Sequence, residues 1–433
     1  MVLEKKIKII LIFSIIGILC IASYFILTTQ KIEIGKNREA IQTKEEKILK
    51  NLSPEEKIGQ LFIIGFEGKN LTPKIENLLK AIHPGGVILF SRNIKDENQL
   101  KKLISDLQKI SLEDNGLPLF VAIDQEGEPV RRIKWLKDEI SQAEIRNTEE
   151  AYRIGLERGN GLKALGINLN LAPVLDIVEE GDFLYNRSFQ GNPEKIGTLA
   201  QSLISGQKKA GIFTAVKHFP GYRGISFNPE TEIMPILEKT PEISQFQKAF
   251  EARPELIMTA NVIYSDIDKN LPFTFSSEGI QFLKTKIKDG YLIISDDLSS
   301  KILKEEFTLK NSVILANKAG IDILLVAGWE QPEDSLEAFD AILETTKNGE
   351  IQEEKINESV LKIIRLKQKI SFEATDQANQ QKIENNEESA VNPKESNQPS
   401  EKDDLNEPLN IINKLVKGKP ILGILIGRNL IQN

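Results

Sequence analysis

The chain contains very few of the residues that form disulfides or bind transition metals. Its 433 residues include one cysteine, Cys20, and two histidines, His83 and His218. A single cysteine excludes an intramolecular disulfide, and two histidines exclude a three-histidine zinc site. We therefore expect a function that requires neither a metal nor another cofactor.

The chain also lacks an excess of positive charge. Its formal net charge is −7, and no basic stripe with interleaved aromatic residues runs through its body. Proteins that bind nucleic acids carry such basic surfaces, so nucleic acid is not an expected partner. The hydrophobic fraction of 40% is typical of a folded protein. No feature of the sequence indicates an oligomeric state.

One long hydrophobic run is present, close to the N-terminus. Residues 7–27 are mostly apolar, and Lys5, Lys6 and Lys8 precede or open the run. About 20 such residues span a bilayer, and basic residues before the run keep the N-terminus in the cytoplasm. A cleaved signal peptide is the alternative, but no small-residue cleavage motif follows cleanly. We expect residues 1–28 to be an uncleaved single-pass anchor in the cell membrane, with the body on the extracytoplasmic side.

Residues 47–371 alternate between short apolar runs and segments of helical periodicity. The runs predict buried parallel strands, and their alternation with helices predicts a (β/α)₈ barrel. Strands are predicted at 61–64, 87–90, 119–123, from 167 onward, and at 212–216, 255–260, 291–294 and 321–326. Helices are predicted near 95–110, 149–165, 193–210, 240–250, 276–288, 309–319, 333–347 and 353–369.

The composition differs on both sides of this barrel region. Residues 29–46 are polar and charged, and they predict a linker or the start of a helix. Residues 372–408 contain mainly Asn, Gln, Glu, Lys, Ser and Pro, which predicts a disordered tail. Apolar side chains return in residues 409–433, whose role the sequence does not indicate. A short helix that packs on the barrel or contacts the membrane surface is one interpretation.

Charged residues directly follow several of the predicted strands. Asp124, Asp176 and Asp296 each follow an apolar run, and so do Lys217 and His218. In a (β/α)₈ barrel the C-terminal ends of the strands converge on one mouth, where catalytic residues lie. The placement of these residues therefore predicts an active site.

Five motifs in this region resemble those of glycoside hydrolase family 3, in the same order and with similar spacing. They are Asp124-Gln125-Glu126-Gly127, Leu171-Ala172-Pro173-Val174-Leu175-Asp176, Asn186-Arg187-Ser188-Phe189, Lys217-His218-Phe219-Pro220-Gly221 and Ser295-Asp296-Asp297-Leu298. The resemblance covers about residues 50–370 and is to the β-N-acetylhexosaminidases, including those of cell-wall recycling. It implies a (β/α)₈ barrel and retaining hydrolysis of terminal N-acetylglucosamine through a glycosyl-enzyme intermediate.

The resemblance also implies roles for individual residues. Asp296 matches the nucleophile, a carboxylate that attacks the anomeric carbon. In the competing interpretation, one aspartate of the pair only caps the following helix, a role that Asp297 fits. Asp176 is expected to organise its neighbours. The positions that bind the non-reducing sugar are matched by Asp124, Arg132, Arg187, Lys217 and His218. Such charged groups form strong hydrogen bonds to hydroxyls, although surface ion pairs and a structural histidine are alternatives.

The chain departs from the family pattern at the general acid/base. The family has a second histidine after Lys-His-Phe-Pro-Gly and then an Asp-Ser-His whose histidine is the acid/base, but residues 222–232 contain no histidine. General acid–base catalysis contributes roughly 10²- to 10⁴-fold to the rate. Either Glu230 or Glu232 replaces the histidine, or the enzyme is slow and needs activated leaving groups, or hydrolysis has been lost.

The sequence thus predicts a membrane-anchored glycosidase that removes terminal β-N-acetylglucosamine from peptidoglycan-type glycans. A non-catalytic carbohydrate-binding barrel of the cell envelope is the alternative. Specificity for another sugar is a third interpretation, since Glu128-Pro129 stands where the family usually has Gly-Arg.

Overall fold

The computed structural model of the chain describes residues 43–328 and 333–370. The predicted anchor (1–28), most of the predicted linker, and the predicted tail and C-terminal segment (372–433) lie outside the described residues. Within those two ranges, no helix combines the length and the apolar composition needed to cross a membrane.

Eight parallel strands form a barrel, as the sequence predicts. In chain order they are β1 (Phe62–Ile64), β2 (Gly86–Leu89), β3 (Phe120–Ile123), β4 (Leu169–Asn170), β5 (Phe213–Phe219), β6 (Leu256–Thr259), β7 (Leu292–Ile294) and β8 (Leu324–Val326). Each overlaps a predicted strand. Their residues are buried on both faces, as expected for parallel strands that are covered by helices.

Each strand pairs with its neighbours in chain order, from β7 through β1 and on to β8. Phe62 of β1 lies opposite Leu324 of β8. A single bridge between Ile294 and Ile323 joins β7 to β8, so the barrel is nearly closed. This order places the C-terminal ends of all eight strands around one mouth.

Helices surround the barrel. In the described part of the chain they are α1 (Lys44–Asn51), α2 (Pro54–Gln60), α3 (Pro73–Ile82), α4 (Glu97–Asp114), α5 (Thr148–Ala164), α6 (Pro193–Ala210), α7 (Ser244–Ala249), α8 (Ser277–Lys286), α9 (Lys301–Phe307), α10 (Leu309–Ala319), α11 (Asp334–Lys347) and α12 (Glu353–Lys367). The predicted helices correspond to α4–α8 and α10–α12. α1 begins inside the predicted linker, because Thr43 and Glu46 form a capping box there.

The ends of α6 show how the sequence sets these boundaries. Asn192 accepts a hydrogen bond from the backbone N–H of Lys195, and Pro193 occupies the first turn, where its missing N–H is not needed. Gly211 ends the helix with a φ of +87°, a left-handed conformation that favours glycine. β5 then starts at Phe213, so a short turn carries the chain from the helix into the barrel.

A second, smaller hydrophobic core lies apart from the main core. It consists of Leu184, Tyr222, Ile225, Ala260, Val262 and Tyr264. These residues belong to the segments that follow β4, β5 and β6, at the mouth of the barrel. We call them the loop cluster, because they hold three loops together beside the site described next.

Candidate active site

A cavity of about 150 Å³ opens at the C-terminal ends of the strands. The acidic and basic residues that line it are Asp124, Arg132, Arg187, Lys217, His218, Glu230, Asp296 and Asp297. Larger clefts, of about 600 and 810 Å³, lie at the opposite end, around residues 289–291. The chemistry of its walls, and not its size, therefore identifies the small cavity as the candidate site.

Asp124 follows β3 and forms ion pairs with two cations. Its Oδ1 lies 2.8 Å from Nζ of Lys217, and its Oδ2 lies 3.3 Å from Nη2 of Arg132. Burial raises the pKa of Asp124, but the charges of Lys217 and Arg132 outweigh burial and hold the pKa below its ordinary value. The side chain is therefore an anion that lies between two hydrogen-bond donors.

Glu126 extends these ion pairs into a larger charge network, and no role was predicted for it from the sequence. Its carboxylate accepts two hydrogen bonds from Arg187, at 2.9 Å from Nε and 2.8 Å from Nη2. Nζ of Lys217 lies 2.7 Å from Oε1 of Glu126. Burial raises the pKa of Glu126, yet Arg187 and Lys217 lower it to a net value well below the ordinary one. Glu126 stands two residues after Asp124 in extended backbone, so both point to the same side. This two-residue spacing could have predicted from the sequence that Glu126 lies beside Asp124.

Lys217 is almost fully buried and connects the two carboxylates. Burial lowers its pKa, but the negative charges of Asp124 and Glu126 raise it to a net value above the ordinary one. The pKa of Arg187 is likewise raised, since Glu126 outweighs burial. The network therefore keeps all of its charges at neutral pH.

Asp176 does not line the cavity but forms hydrogen bonds with His218. Its Oδ2 accepts a hydrogen bond of 3.0 Å from the backbone N–H of His218 and lies 2.9 Å from Nδ1 of the ring. Its Oδ1 accepts a hydrogen bond of 2.8 Å from the backbone N–H of Tyr222. Asp176 is fully buried. It fixes both the histidine ring and the start of the next loop.

Asp296 and Asp297 follow β7 and occupy different environments. Oδ1 of Asp296 accepts a hydrogen bond of 2.8 Å from the backbone N–H of Asp297, and its side chain lines the cavity. Oδ1 of Asp297 accepts three bonds, from N and Oγ of Ser299 and from N of Ala327. Burial raises the pKa of Asp297 to about 6. Asp297 thus ties the turn after β7 to β8 and does not cap α9, which begins at Lys301.

The structure separates the two glutamates that were candidates for the acid/base. Glu230 is half-buried and lines the cavity, and its backbone oxygen accepts a hydrogen bond from N of Ile302. Glu232 is exposed and accepts a hydrogen bond of 2.9 Å from the backbone N–H of Asn228. Burial raises the pKa of Glu230 to about 8, and the negative charges of Asp296 and Asp297 contribute. Glu230 therefore carries a proton at neutral pH.

The loop cluster fixes the backbone around Glu230. Tyr222 and Ile225 belong to residues 220–232, which we call the Glu230 loop, and they pack on Leu184. The backbone N–H of Phe183 donates a hydrogen bond of 2.8 Å to the oxygen of Ile225. Oη of Tyr264 donates one of 2.9 Å to the oxygen of Gly221. Apolar contacts and backbone hydrogen bonds thus position the loop.

The cavity therefore combines two kinds of group. A protonated carboxyl, Glu230, and the carboxylate of Asp296 face one space, while a set of paired charges lines the remaining wall. Pairs of carboxyl groups in contrasting environments are typical of enzymes that use one as an acid. Among the described residues, no three histidine, cysteine or carboxylate side chains are grouped to hold a metal ion.

Comparison with known proteins places the chain in a family. Residues 53–366 match the model of the glycosyl hydrolase family 3 N-terminal domain. A β-hexosaminidase of Idiomarina loihiensis is 31% identical over 302 residues, which cover 66% of this chain and 88% of that protein.

Solved structures of similar proteins indicate the same family. A family 3 β-N-acetylglucosaminidase from a Paenibacillus species superposes with a TM-score of 0.69 at 30% identity, covering 73% of this chain and 62% of that one. A β-N-acetylhexosaminidase from Beutenbergia cavernae gives a TM-score of 0.68 at 25% identity, covering 73% and 99%. The chain thus spans about three fifths of the Paenibacillus chain. Because the family model matches most of its length, the chain belongs to glycosyl hydrolase family 3 through that family's N-terminal domain.

Proposed function

We propose that this protein removes terminal β-N-acetylglucosamine from glycans by a retaining mechanism. One observation carries the proposal: Asp296 and a protonated Glu230 line the same cavity at the mouth of the barrel. Retaining glycosidases use two such carboxyl groups, one as nucleophile and one as acid/base. The name of the Paenibacillus relative, a β-N-acetylglucosaminidase, supports the choice of sugar.

In the first step, Asp296 attacks the anomeric carbon of the bound sugar. The bond from that carbon to the leaving oxygen breaks, and Glu230 gives its proton to that oxygen. The product is a covalent glycosyl ester of Asp296, with Glu230 ionised. A pKa of about 8 suits this role, because Glu230 holds the proton at neutral pH until the leaving oxygen takes it.

In the second step, water attacks the anomeric carbon and releases Asp296. Glu230 takes a proton from the water, which restores both carboxyl groups. The charge of Asp296 is one cause of the raised pKa of Glu230. Because the ester removes that charge, the pKa of Glu230 falls in the intermediate. Ionised Glu230 then persists long enough to act as a base.

The remaining charged residues suit the sugar hydroxyls. Asp124, Arg132, Arg187, Lys217 and His218 line the cavity. Charge-assisted hydrogen bonds from such groups are stronger than neutral ones. Each of Asp124, Lys217 and Arg187 is already held in an ion pair, so little reorganisation accompanies binding. Their arrangement supports recognition of one non-reducing sugar unit.

We further propose that the natural substrates are peptidoglycan-type glycans and that residues 1–28 anchor the protein in the cell membrane, with its body outside the cytoplasm. The support is the apolar run at 7–27 with lysines before it. Extraction of membranes with alkaline carbonate tests the anchor, since a spanning protein stays in the membrane pellet.

The non-catalytic alternative is not favoured, because both carboxyl groups of a hydrolase face the cavity.

The test compares the full-length chain with three variants on an aryl N-acetyl-β-glucosaminide and an N-acetylglucosaminyl disaccharide. Asp296→Asn should abolish turnover of both, and Glu230→Gln should lose mainly the disaccharide, whose leaving group needs a proton. Glu232→Gln is the matched control and should match the wild type. Full turnover by Asp296→Asn refutes the mechanism. If the wild type binds the sugar saturably but forms no product, the non-catalytic carbohydrate-binding barrel is favoured. A panel of aryl glycosides would identify any other preferred sugar.

A further inference from the structure

Tyr222 occupies the position directly after the Lys217–Gly221 motif. Tyr222 is 4% exposed and belongs to the loop cluster. Its hydroxyl lies 2.7 Å from the backbone nitrogen of Asn261 and 3.4 Å from Oδ2 of Asp296. The tyrosine therefore connects the loop that carries Glu230 to the proposed nucleophile.

The direction of these two hydrogen bonds follows from the donors that are present. The backbone N–H of Asn261 can only donate, so the hydroxyl oxygen of Tyr222 accepts that bond. A phenol has one hydrogen, which is then directed to the carboxylate of Asp296. Burial, followed by the charge of Asp296, raises the pKa of Tyr222 well above its ordinary value. The hydroxyl thus remains a donor throughout the working pH range.

The ring of Tyr222 is itself held firmly. Its backbone N–H donates to Oδ1 of Asp176, and its ring packs edge-on against His218 with centroids 5.4 Å apart. The other oxygen of Asp296, Oδ1, accepts from the backbone N–H of Asp297. Each oxygen of the proposed nucleophile therefore has one donor, and the carboxylate plane is fixed from both sides.

We propose that Tyr222 is a positioning residue that orients Asp296 and stabilises its negative charge. The proposal rests on the proposed function, because it requires Asp296 to be the nucleophile. A donor to this carboxylate matters most in the second step, when Asp296 leaves the sugar and regains its charge. Loss of the hydroxyl should therefore slow release of the sugar from the enzyme more than it slows formation of the ester.

Tyr222→Phe in the full-length chain tests this, with Tyr264→Phe as the matched control. Tyr264 belongs to the same loop cluster and is as deeply buried, but its hydroxyl donates to the oxygen of Gly221. On the aryl N-acetyl-β-glucosaminide, kcat of Tyr222→Phe should fall about tenfold to a hundredfold. KM should fall as well, and mass spectrometry of quenched reactions should show glycosyl-enzyme. Tyr264→Phe removes a contact of the Glu230 loop and none of Asp296, so it should show neither the fall in KM nor the accumulated glycosyl-enzyme.

The split between kcat and KM supplies a readout that a purely structural role does not affect. A slower second step lowers kcat and KM together, because glycosyl-enzyme accumulates. Wild-type kcat together with a wild-type KM overturns the proposal. Equal losses in both tyrosine variants, without glycosyl-enzyme, also overturn it. Full activity of Asp296→Asn, in contrast, refutes the proposed function itself.

A second form of the test preserves the shape of the side chain, in case Tyr222→Phe does not fold. Incorporation of 3-fluorotyrosine at position 222 keeps the ring and makes the hydroxyl a stronger donor. Release of the sugar should then be faster than in the wild type, because a stronger donor stabilises the departing carboxylate of Asp296, so less glycosyl-enzyme should accumulate. Wild-type or greater accumulation of glycosyl-enzyme refutes the proposal.

Discussion

Replacement of Glu230 with glutamine should reduce activity and stabilise the fold. The surroundings of Glu230 hold its pKa at about 8, against an ordinary value of 4.5. A carboxyl group whose pKa is higher in the folded state binds a proton more tightly there than in the unfolded chain. Its contribution to stability is therefore complete below pH 4.5 and is lost as the pH rises to about 8.

The size of the effect follows from these two values. One pH unit corresponds to about 1.4 kcal/mol of unfolding free energy for a group that is protonated in one state only. From pH 4.5 to pH 7 this amounts to at most about 3 kcal/mol, and above pH 8 to about 5 kcal/mol. Glutamine is neutral in both states and avoids this loss. Glu230→Gln should thus equal the wild type in stability near pH 4 and exceed it increasingly up to pH 8.

Guanidinium unfolding at several pH values between 4 and 9 measures this difference, and the disaccharide measures the activity. For the wild type, kcat/KM should fall tenfold per pH unit above about 8, as Glu230 loses the proton that the leaving oxygen needs. Glu230→Gln should lack this limb and turn over the disaccharide roughly 10²- to 10⁴-fold more slowly. Exposed Glu232→Gln is the control for both measurements. A stability gain independent of pH, or none at all, refutes this account of the cavity.

Two further substitutions test other buried ionisable groups. Lys367 is fully buried, and burial holds its pKa well below the ordinary value, with Oε1 of Gln60 2.6 Å from its Nζ. Lys367→Met should raise the unfolding free energy by about 1–3 kcal/mol at pH 7. This gain should shrink as the pH rises and vanish above pH 10.5, where lysine is neutral in both states. Glu126→Gln removes the charge that pairs with Arg187 and Lys217, so KM for the disaccharide should rise about tenfold or more. An unchanged KM would contradict a role of the charge network in binding the sugar.

The barrel was predictable because its strands are buried on both faces. Such strands read as uninterrupted apolar runs, and all eight were recognised in this way. The lengths of the individual strands were less predictable. β5 extends to Phe219, since Lys217 and His218 remain in the buried strand although they are charged or polar. β4 ends at Asn170, and the apolar residues up to Leu175 continue outside the regular ladder.

The site was only partly predictable, for a physical reason. Carboxylates at strand ends are visible in the sequence, so Asp124, Asp176 and Asp296 could be proposed as site residues from the sequence alone. The choice between Glu230 and Glu232 depends on how the Glu230 loop packs, and that packing involves residues from three distant segments. No local periodicity encodes such an arrangement. The hydrogen bond from Tyr222 to Asp296, which spans 74 positions, is invisible in the sequence for the same reason.

The two walls of the cavity differ in how freely evolution can alter them. On one side Lys217 and Arg187 neutralise Asp124 and Glu126, and removal of one member leaves a buried charge without its partner. On the other side the Glu230 loop is held by apolar side chains that do not depend on which group the loop presents. The side chain that the Glu230 loop presents to the cavity can therefore change by single substitutions, while the charged wall changes only through concerted ones. A loop tethered in this way can alter the chemistry of the cavity without any rebuilding of the barrel.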